Sequence, residues 1–168
     1  MMRKIGSIGY LLIVVLVASC LPVEDLPPEP EIVFKSFTQE GTGATLVFGF
    51  TDGDGNIGLE QGDTLGVNCP DTCIYYWNLF CEYYELQDGE WTHIPIDWTL
   101  ENSIPFYYRV PRAEPTGQNP ALIGDISIDM PFYSLPSDYD TARFEVKLVD
   151  RDLNESNVIT TSAFIKPD

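Results

Sequence analysis

The chain is expected to be all-β, an antiparallel β-sandwich of seven or eight short strands. Apolar and polar residues alternate in several stretches, turns rich in Gly, Pro and Asp separate them, and no segment beyond residue 30 has a helical period. Segment 44–51 sets Leu46, Phe48 and Phe50 against Thr45, Gly49 and Thr51. Segment 122–130 sets Leu122, Ile126, Ile128 and Met130 against Asp125, Ser127 and Asp129. The clearest case is 143–149, where Phe144, Val146 and Leu148 oppose Arg143, Glu145 and Lys147. A period of two gives a strand one buried and one wet face, the pattern of antiparallel sheets. Further strands are expected at 32–37, 73–86, 91–96, 106–110 and 158–165. Gln87-Asp88-Gly89-Glu90 reads as a hairpin turn, because Asp-Gly accepts the positive φ that a tight turn needs. Segment 111–120 holds Pro111, Pro115 and Pro120 and is expected to be an exposed excursion.

The N-terminus reads as an export signal. Arg3 and Lys4 precede an apolar stretch at 10–17, and the small residues Ala18 and Ser19 follow it. A membrane span would need about 20 apolar residues, which this stretch does not reach. Leu16-Val17-Ala18-Ser19-Cys20 resembles the lipobox of bacterial lipoproteins. The resemblance implies that residues 1–19 are removed and that Cys20 is acylated, with palmitate among its lipids, fastening the chain to a membrane. Leu21 is not the inner-membrane retention residue known in other lipoproteins, which points to the outer membrane, on its periplasmic or its surface face. Residues 20–30 then form a tether, with Pro22, Pro27, Pro28 and Pro30 favouring an extended, semi-rigid spacer. Residues 31–168, roughly 140 in number, suffice for one domain with one core.

Charge narrows the partners. The formal net charge is −17, from 26 Asp and Glu against 9 Lys and Arg, and loss of Arg3 and Lys4 with the leader makes it more negative. Phosphate binding depends on Lys and Arg displacing counterions, so a nucleic-acid partner is not expected. Cation binding and solubility outside the cell both fit.

Four segments carry a broader likeness: Phe50-Thr51-Asp52-Gly53-Asp54-Gly55-Asn56-Ile57-Gly58-Leu59, the strand around Asn78-Leu79-Phe80, segment 105–111, and segment 150–161. In these the chain resembles small lipoproteins of Bacteroidota that carry an immunoglobulin- or fibronectin-III-like domain and mostly lack an assigned activity. The resemblance implies a sandwich at the cell envelope and brings no catalytic residues with it.

Asp52-Gly53-Asp54-Gly55-Asn56 alternates oxygen donors with glycine, so the loop can curl its side chains around one point. Ca²⁺ takes about six to eight oxygens at roughly 2.3–2.6 Å. Counted from Asp52, the residues Asn56, Glu60 and Asp63 echo an EF-hand, but Ile57 stands where the turn glycine belongs and the flanks read as strands, which excludes that motif. A second acidic loop, Asp150-Arg151-Asp152-Leu153-Asn154-Glu155, joins the last two strands. In an immunoglobulin-like order both loops leave the same pole. Asp52, Asp54, Asn56, Asp150, Asp152 and Asn154 would then converge, and a divalent ion, Ca²⁺, would relieve their mutual repulsion. The alternative is that these residues only shape turns, with Arg151 neutralising a carboxylate.

An exported domain keeps its disulfides. Cys73 and Cys81 fall in what reads as one extended strand, about 26 Å apart, too far for a bridge. Cys69 is the common partner, and pairing with Cys73 across Pro70-Asp71-Thr72 is favoured, with Cys81 a buried free thiol on the face of Tyr75, Trp77, Leu79 and Tyr83. The aromatic residues are read first as core; the alternative is a glycan platform including Trp91 and Trp98, which would make the chain a carbohydrate-binding module. Catalysis is not expected, because the only imidazole, His93, lies in a strand with no nucleophile placed by motif. The functional expectation is a binding or structural-interaction module with a protein or glycan partner.

Overall fold

A computed structural model describes residues 26–63, 74–95, 106–116, 118–131 and 137–166. Among them the chain forms nine strands and one 3₁₀ turn. The strands are β1 (Glu31–Glu40), β2 (Gly43–Asp52), β3 (Leu79–Gln87), β4 (Glu90–His93), β5 (Tyr107–Tyr108), β6 (Leu122–Pro131), β7 (Thr141–Leu148), β8 (Ile159–Thr160) and β9 (Phe164–Ile165). One sheet has the order β1-β2-β6; the other runs β4-β3-β7-β8, with β5 pairing β3 and β9 pairing β7. All of these pairings are antiparallel. This is the all-β antiparallel sandwich that the alternation predicts, with the immunoglobulin-like character that the resemblance implies.

The period-two stretches become β2, β6 and β7, which share the core with β3. Along β7, Ala142, Phe144, Val146 and Leu148 are fully buried, and between them stand Arg143, Glu145 and Lys147. On β2, Leu46 and Phe48 are fully buried from the facing sheet. Phe144 is the hinge of the core: its ring lies 6.0 Å from Phe37, 4.8 Å from Phe106 and 5.5 Å from Phe164. Edge-to-face and offset ring pairs of this kind add specificity to simple apolar burial.

The last strand, expected as one piece over 158–165, is two. Thr161 interrupts it: its amide donates to the Phe144 carbonyl, and its hydroxyl accepts the Phe144 amide at 3.0 Å. A side chain takes over one rung of the ladder, and β8 and β9 pair with β7 on either side. With the two-residue β5 this raises the strand count above the expected seven or eight.

The aromatic run 73–86 is also not one strand. Ile74–Tyr76 form a 3₁₀ turn, and β3 begins only at Leu79. The break is made by Asn78, which accepts the Val110 amide at 2.7 Å through Oδ1 and donates to the Val110 carbonyl through Nδ2. Tyr75 and Trp77 therefore do not share a strand face with Cys81, whose inward neighbours on β3 are Leu79 and Tyr83. The strands expected at 91–96 and 106–110 shorten to β4 and β5.

The hairpin between β3 and β4 turns at Asp88 (φ 51°) and Gly89 (φ 87°), the pair of positive angles that Asp-Gly supports. No atom lies within 4 Å of a Cβ built on Gly89, so Gly89→Ala meets only backbone strain. We expect a loss of about 1 kcal/mol in urea unfolding, with no change in far-ultraviolet dichroism.

At Ile32 the β1 edge is capped by a side chain. Asn157 accepts the Ile32 amide and donates to the Ile32 carbonyl, both at 2.8 Å, mimicking a strand partner. This satisfies backbone groups that would otherwise template edge-to-edge association.

Candidate metal centre

Asp52 ends β2 and Asp150 follows β7, so the sandwich topology delivers both to one pole. One oxygen each from Asp52, Asp54 and Asp150 lies within 4.8 Å of the other two. Asp52 and Asp150 are buried, at 0% and 2% exposure, while Asp54 opens to solvent.

Asp52 is held by one oxygen. Its Oδ2 accepts the amides of Asn56 at 2.8 Å and Ile57 at 3.2 Å, curling the loop back over the strand end. Its Oδ1 is buried with no hydrogen-bond partner. Asn56 donates through Nδ2 to Asp54 at 3.0 Å and to Asp152 at 3.1 Å, tying the two acidic loops together. The Oδ1 of Asn56 is likewise buried without a partner. Asp150 serves its own loop, accepting the amides of Asp152 and Asn154 through Oδ1 and the Asn154 side chain through Oδ2. The six residues that the sequence nominates thus stand in one network, with Asp152 and Asn154 as its supports.

The electrostatics follow from this crowding. Burial, then the charges of Asp54 and Asp150, push the Asp52 carboxyl from 3.8 up to about 6, against the two amide hydrogen bonds. Asp54 is also raised, first by burial and next by Asp150. Arg151 does not relieve them: no ion pair among the described residues includes it, and its Nη1 is buried without a hydrogen-bond partner. The neutralisation by Arg151 weighed from the sequence is therefore absent from this cluster.

Orphaned buried acceptors normally cost about 1–3 kcal/mol each. Carboxylate and amide oxygens without nitrogen or sulfur donors form a set suited to a hard cation. The Asp52–Asp54–Asp150 group can hold a metal ion. Glu60 and Asp63, the later positions of the EF-hand count, are engaged elsewhere: Glu60 pairs with Arg112 at 3.1 Å, and Asp63 accepts the Glu60 amide.

The loop glycines have a role that turn chemistry alone does not reveal. A Cβ on Gly53 would overlap the carbonyl oxygens of Leu26 and Pro27, and one on Gly55 the carbonyl of Pro120. A Cβ on Gly58 would overlap the carbonyl of Pro111. Each glycine admits the backbone of a different segment, and their spacing in the sequence was the available signal. Residues 111–116 and 118–120 are mostly exposed, but the start of the segment is fastened to the loop: the Arg112 amide donates to the Leu59 carbonyl and that of Ala113 to the Ile57 carbonyl.

Cys20, Cys69, Cys73 and Trp98 lie outside the described residues. Trp91 stands on β4 with the Arg143 guanidinium 4.5 Å from its ring centre, so one ring face is already taken. His93 pairs with Glu82 at 3.0 Å on the outer face of the second sheet. Nearby, Tyr75, Phe80 and Val158 flank a groove of about 240 Å³, whose charged residues are already engaged, Lys147 with Glu155 and Glu145 with Arg143. Cys81 is free and fully buried, and burial pushes its thiol well above the ordinary range. We expect iodoacetamide to leave Cys81 unmodified in the native protein and to label it after denaturation, as read by peptide mass mapping.

Fold and site together define an immunoglobulin-like β-sandwich with a cation-competent acidic pole. No family model, curated protein or solved structure matches the chain.

Proposed function

We propose that the chain is a lipid-anchored cell-envelope protein, most consistent with the outer membrane, that acts as a binding or structural-interaction module and takes Ca²⁺ at one pole. The observation that carries the calcium reading is the pair of buried, partnerless oxygens, Asp52 Oδ1 and Asn56 Oδ1, beside the carboxylates of Asp54 and Asp150. Calcium is favoured over magnesium because two carboxylates are already withdrawn from solvent. Mg²⁺ keeps several waters and near-ideal octahedral geometry, whereas Ca²⁺ accepts irregular shells of protein oxygens. Bound ion would satisfy the Asp52 oxygen and offset the crowding of negative charge among Asp52, Asp54 and Asp150.

The support for the anchor is the charged start, apolar middle and Ala18-Ser19-Cys20 exit of the N-terminus. Intact-mass spectrometry of membrane-purified protein checks it; an unmodified thiol at Cys20, or an uncut leader, removes the anchor from the proposal. For the ion, titration calorimetry of the chelator-treated protein is expected to show one site. At a hundredfold excess over Kd, calcium should add about 2.7 kcal/mol of stability. No heat and no shift in melting temperature at millimolar calcium would end the calcium reading.

A further inference from the structure

We propose that the metal loop is also the docking site of the tether, so that calcium occupancy and attachment of residues 26–27 to the pole stabilise one another. This rests on the calcium reading above and adds a regulated contact to it.

The contact is direct. The Gly53 amide donates to the Pro27 carbonyl at 2.9 Å, from the residue that lies between Asp52 and Asp54. Leu26 and Pro27 pass so close over Gly53 that no side chain fits there, and the overlapping atoms are backbone rather than yielding side-chain ends. Leu26 is partly buried and Pro30 buried, so the chain enters the fold across this loop rather than at β1 alone.

The loop's conformation is set by the groups that an ion would bind. Asp52 curls the backbone through the Asn56 and Ile57 amides, and its other oxygen is one of the two orphans. Without the ion, ionised Asp52, Asp54 and Asp150 repel within 4.8 Å and favour opening the turn. Opening it moves Gly53 and withdraws the amide that Pro27 accepts. With the ion, the turn is held in the form that Leu26 and Pro27 fit. The second independent observation is thus Oδ1 of Asp52, an unpartnered oxygen on a fully buried side chain, which an acidic turn alone would not need.

Coupling of this kind is reciprocal: whatever factor calcium contributes to tether docking, docking contributes to calcium affinity. The test uses the full chain in detergent, with hydrogen exchange of the peptide spanning 26–31 and of the Gly53 amide measured in calcium and in chelator. Protection is expected to rise by about tenfold in calcium. Leu26→Gly alters only the tether side, and Gly53→Ala blocks the approach from the loop side. Gly53→Ala is expected to abolish that gain, and Leu26→Gly, which removes the partly buried side chain but leaves the Pro27 carbonyl, to reduce it, each weakening calcium binding in calorimetry by the factor it removes from docking. Should Gly53→Ala fail to fold, Leu26→Gly decides alone. Calcium binding with unchanged protection, or with affinity untouched by Leu26→Gly, overturns the tether coupling and leaves the metal site standing. Absence of calcium binding by the unaltered chain overturns both.

Discussion

Replacing Asp52 by Asn is expected to raise the melting temperature of the calcium-free protein at neutral pH and to abolish its response to calcium. The two effects have opposite signs and one origin. The folded-state value of Asp52, about 6, lies above its ordinary 3.8, so folding favours the protonated carboxyl. Its contribution is fully present below 3.8 and is lost as pH rises through about 6. The whole shift corresponds to roughly 3 kcal/mol at neutral pH. Asn is neutral and isosteric: its oxygen can accept the Asn56 and Ile57 amides while its NH₂ points toward the neighbouring carboxylates. We expect it to recover about 1–2 kcal/mol, or roughly 3–6 °C. In calcium the unaltered protein should be the more stable of the two, because the ion requires the ionised carboxylate. The calcium gain should grow as pH climbs through 6 and be flat for Asp52→Asn. A variant that melts lower than the unaltered chain in chelator at neutral pH would show that Asp52 is not under charge strain.

Lys166→Met is expected to cost about 3 kcal/mol, the larger of the two effects, at the opposite end of the domain. Glu85 is an inward-facing carboxylate on β3 with 1% exposure, and Lys166, next to β9, reaches it at 3.0 Å. Tyr83, Gln87 and Ser137 also donate to it. Burial alone would raise its pKa, but the hydrogen bonds from Ser137, Lys166 and Gln87, with the Lys166 charge, outweigh that and lower it below 4.5. The stability contributed by Glu85 is therefore present above pH 4.5 and lost as pH falls through the folded value. Removing the ammonium leaves a buried charge with only neutral donors. The variant should lose stability at neutral pH and show a shallower acid limb. Adding Glu85→Gln should restore part of the loss, since the remaining donors then face a neutral acceptor. A urea midpoint unchanged by Lys166→Met would refute the pairing.

These two carboxylates oppose each other in pH dependence. Acidification relieves Asp52 and unsettles Glu85, so the calcium-free domain should have its best stability on the mildly acidic side of neutrality. Calcium should move that optimum upward.

The strands that were legible in the sequence are those whose burial is decided by alternation. Phe144, Val146 and Leu148 against Arg143, Glu145 and Lys147 fix both the strand and its inward face without reference to any partner. The convergence of the acidic loops was also legible, because once strands β2 and β7 are placed in an immunoglobulin-like order, their following loops must share a pole. The break before Leu79 was not: Tyr75, Trp77 and Leu79 continue the alternation, and only the clamp of Asn78 on Val110, 32 residues away, ends it. Glu85 stands in the inward series of Leu79, Cys81 and Tyr83, and its counter-charge is 81 residues distant. Arg151 looked available to the acidic cluster by sequence proximity, yet adjacency along a turn does not decide where a guanidinium points. The glycines at 53, 55 and 58 were read for the curvature they permit, while their other property, room for a passing backbone, depends on segments that sequence order does not bring near.

If Cys20 carries the proposed lipid, the Pro27–Gly53 hydrogen bond also sets how high the body can ride above a bilayer. With the chain pinned at Leu26, six residue steps link it to Cys20, a reach of about 20 Å even when fully stretched. Released to Glu31, the leash has eleven steps and nearly twice that span. For a lipidated chain, an ion at this pole would draw the domain down and turn the acidic end toward the headgroups, with the Asp88–Gly89 hairpin at the end of β3 away from that pole.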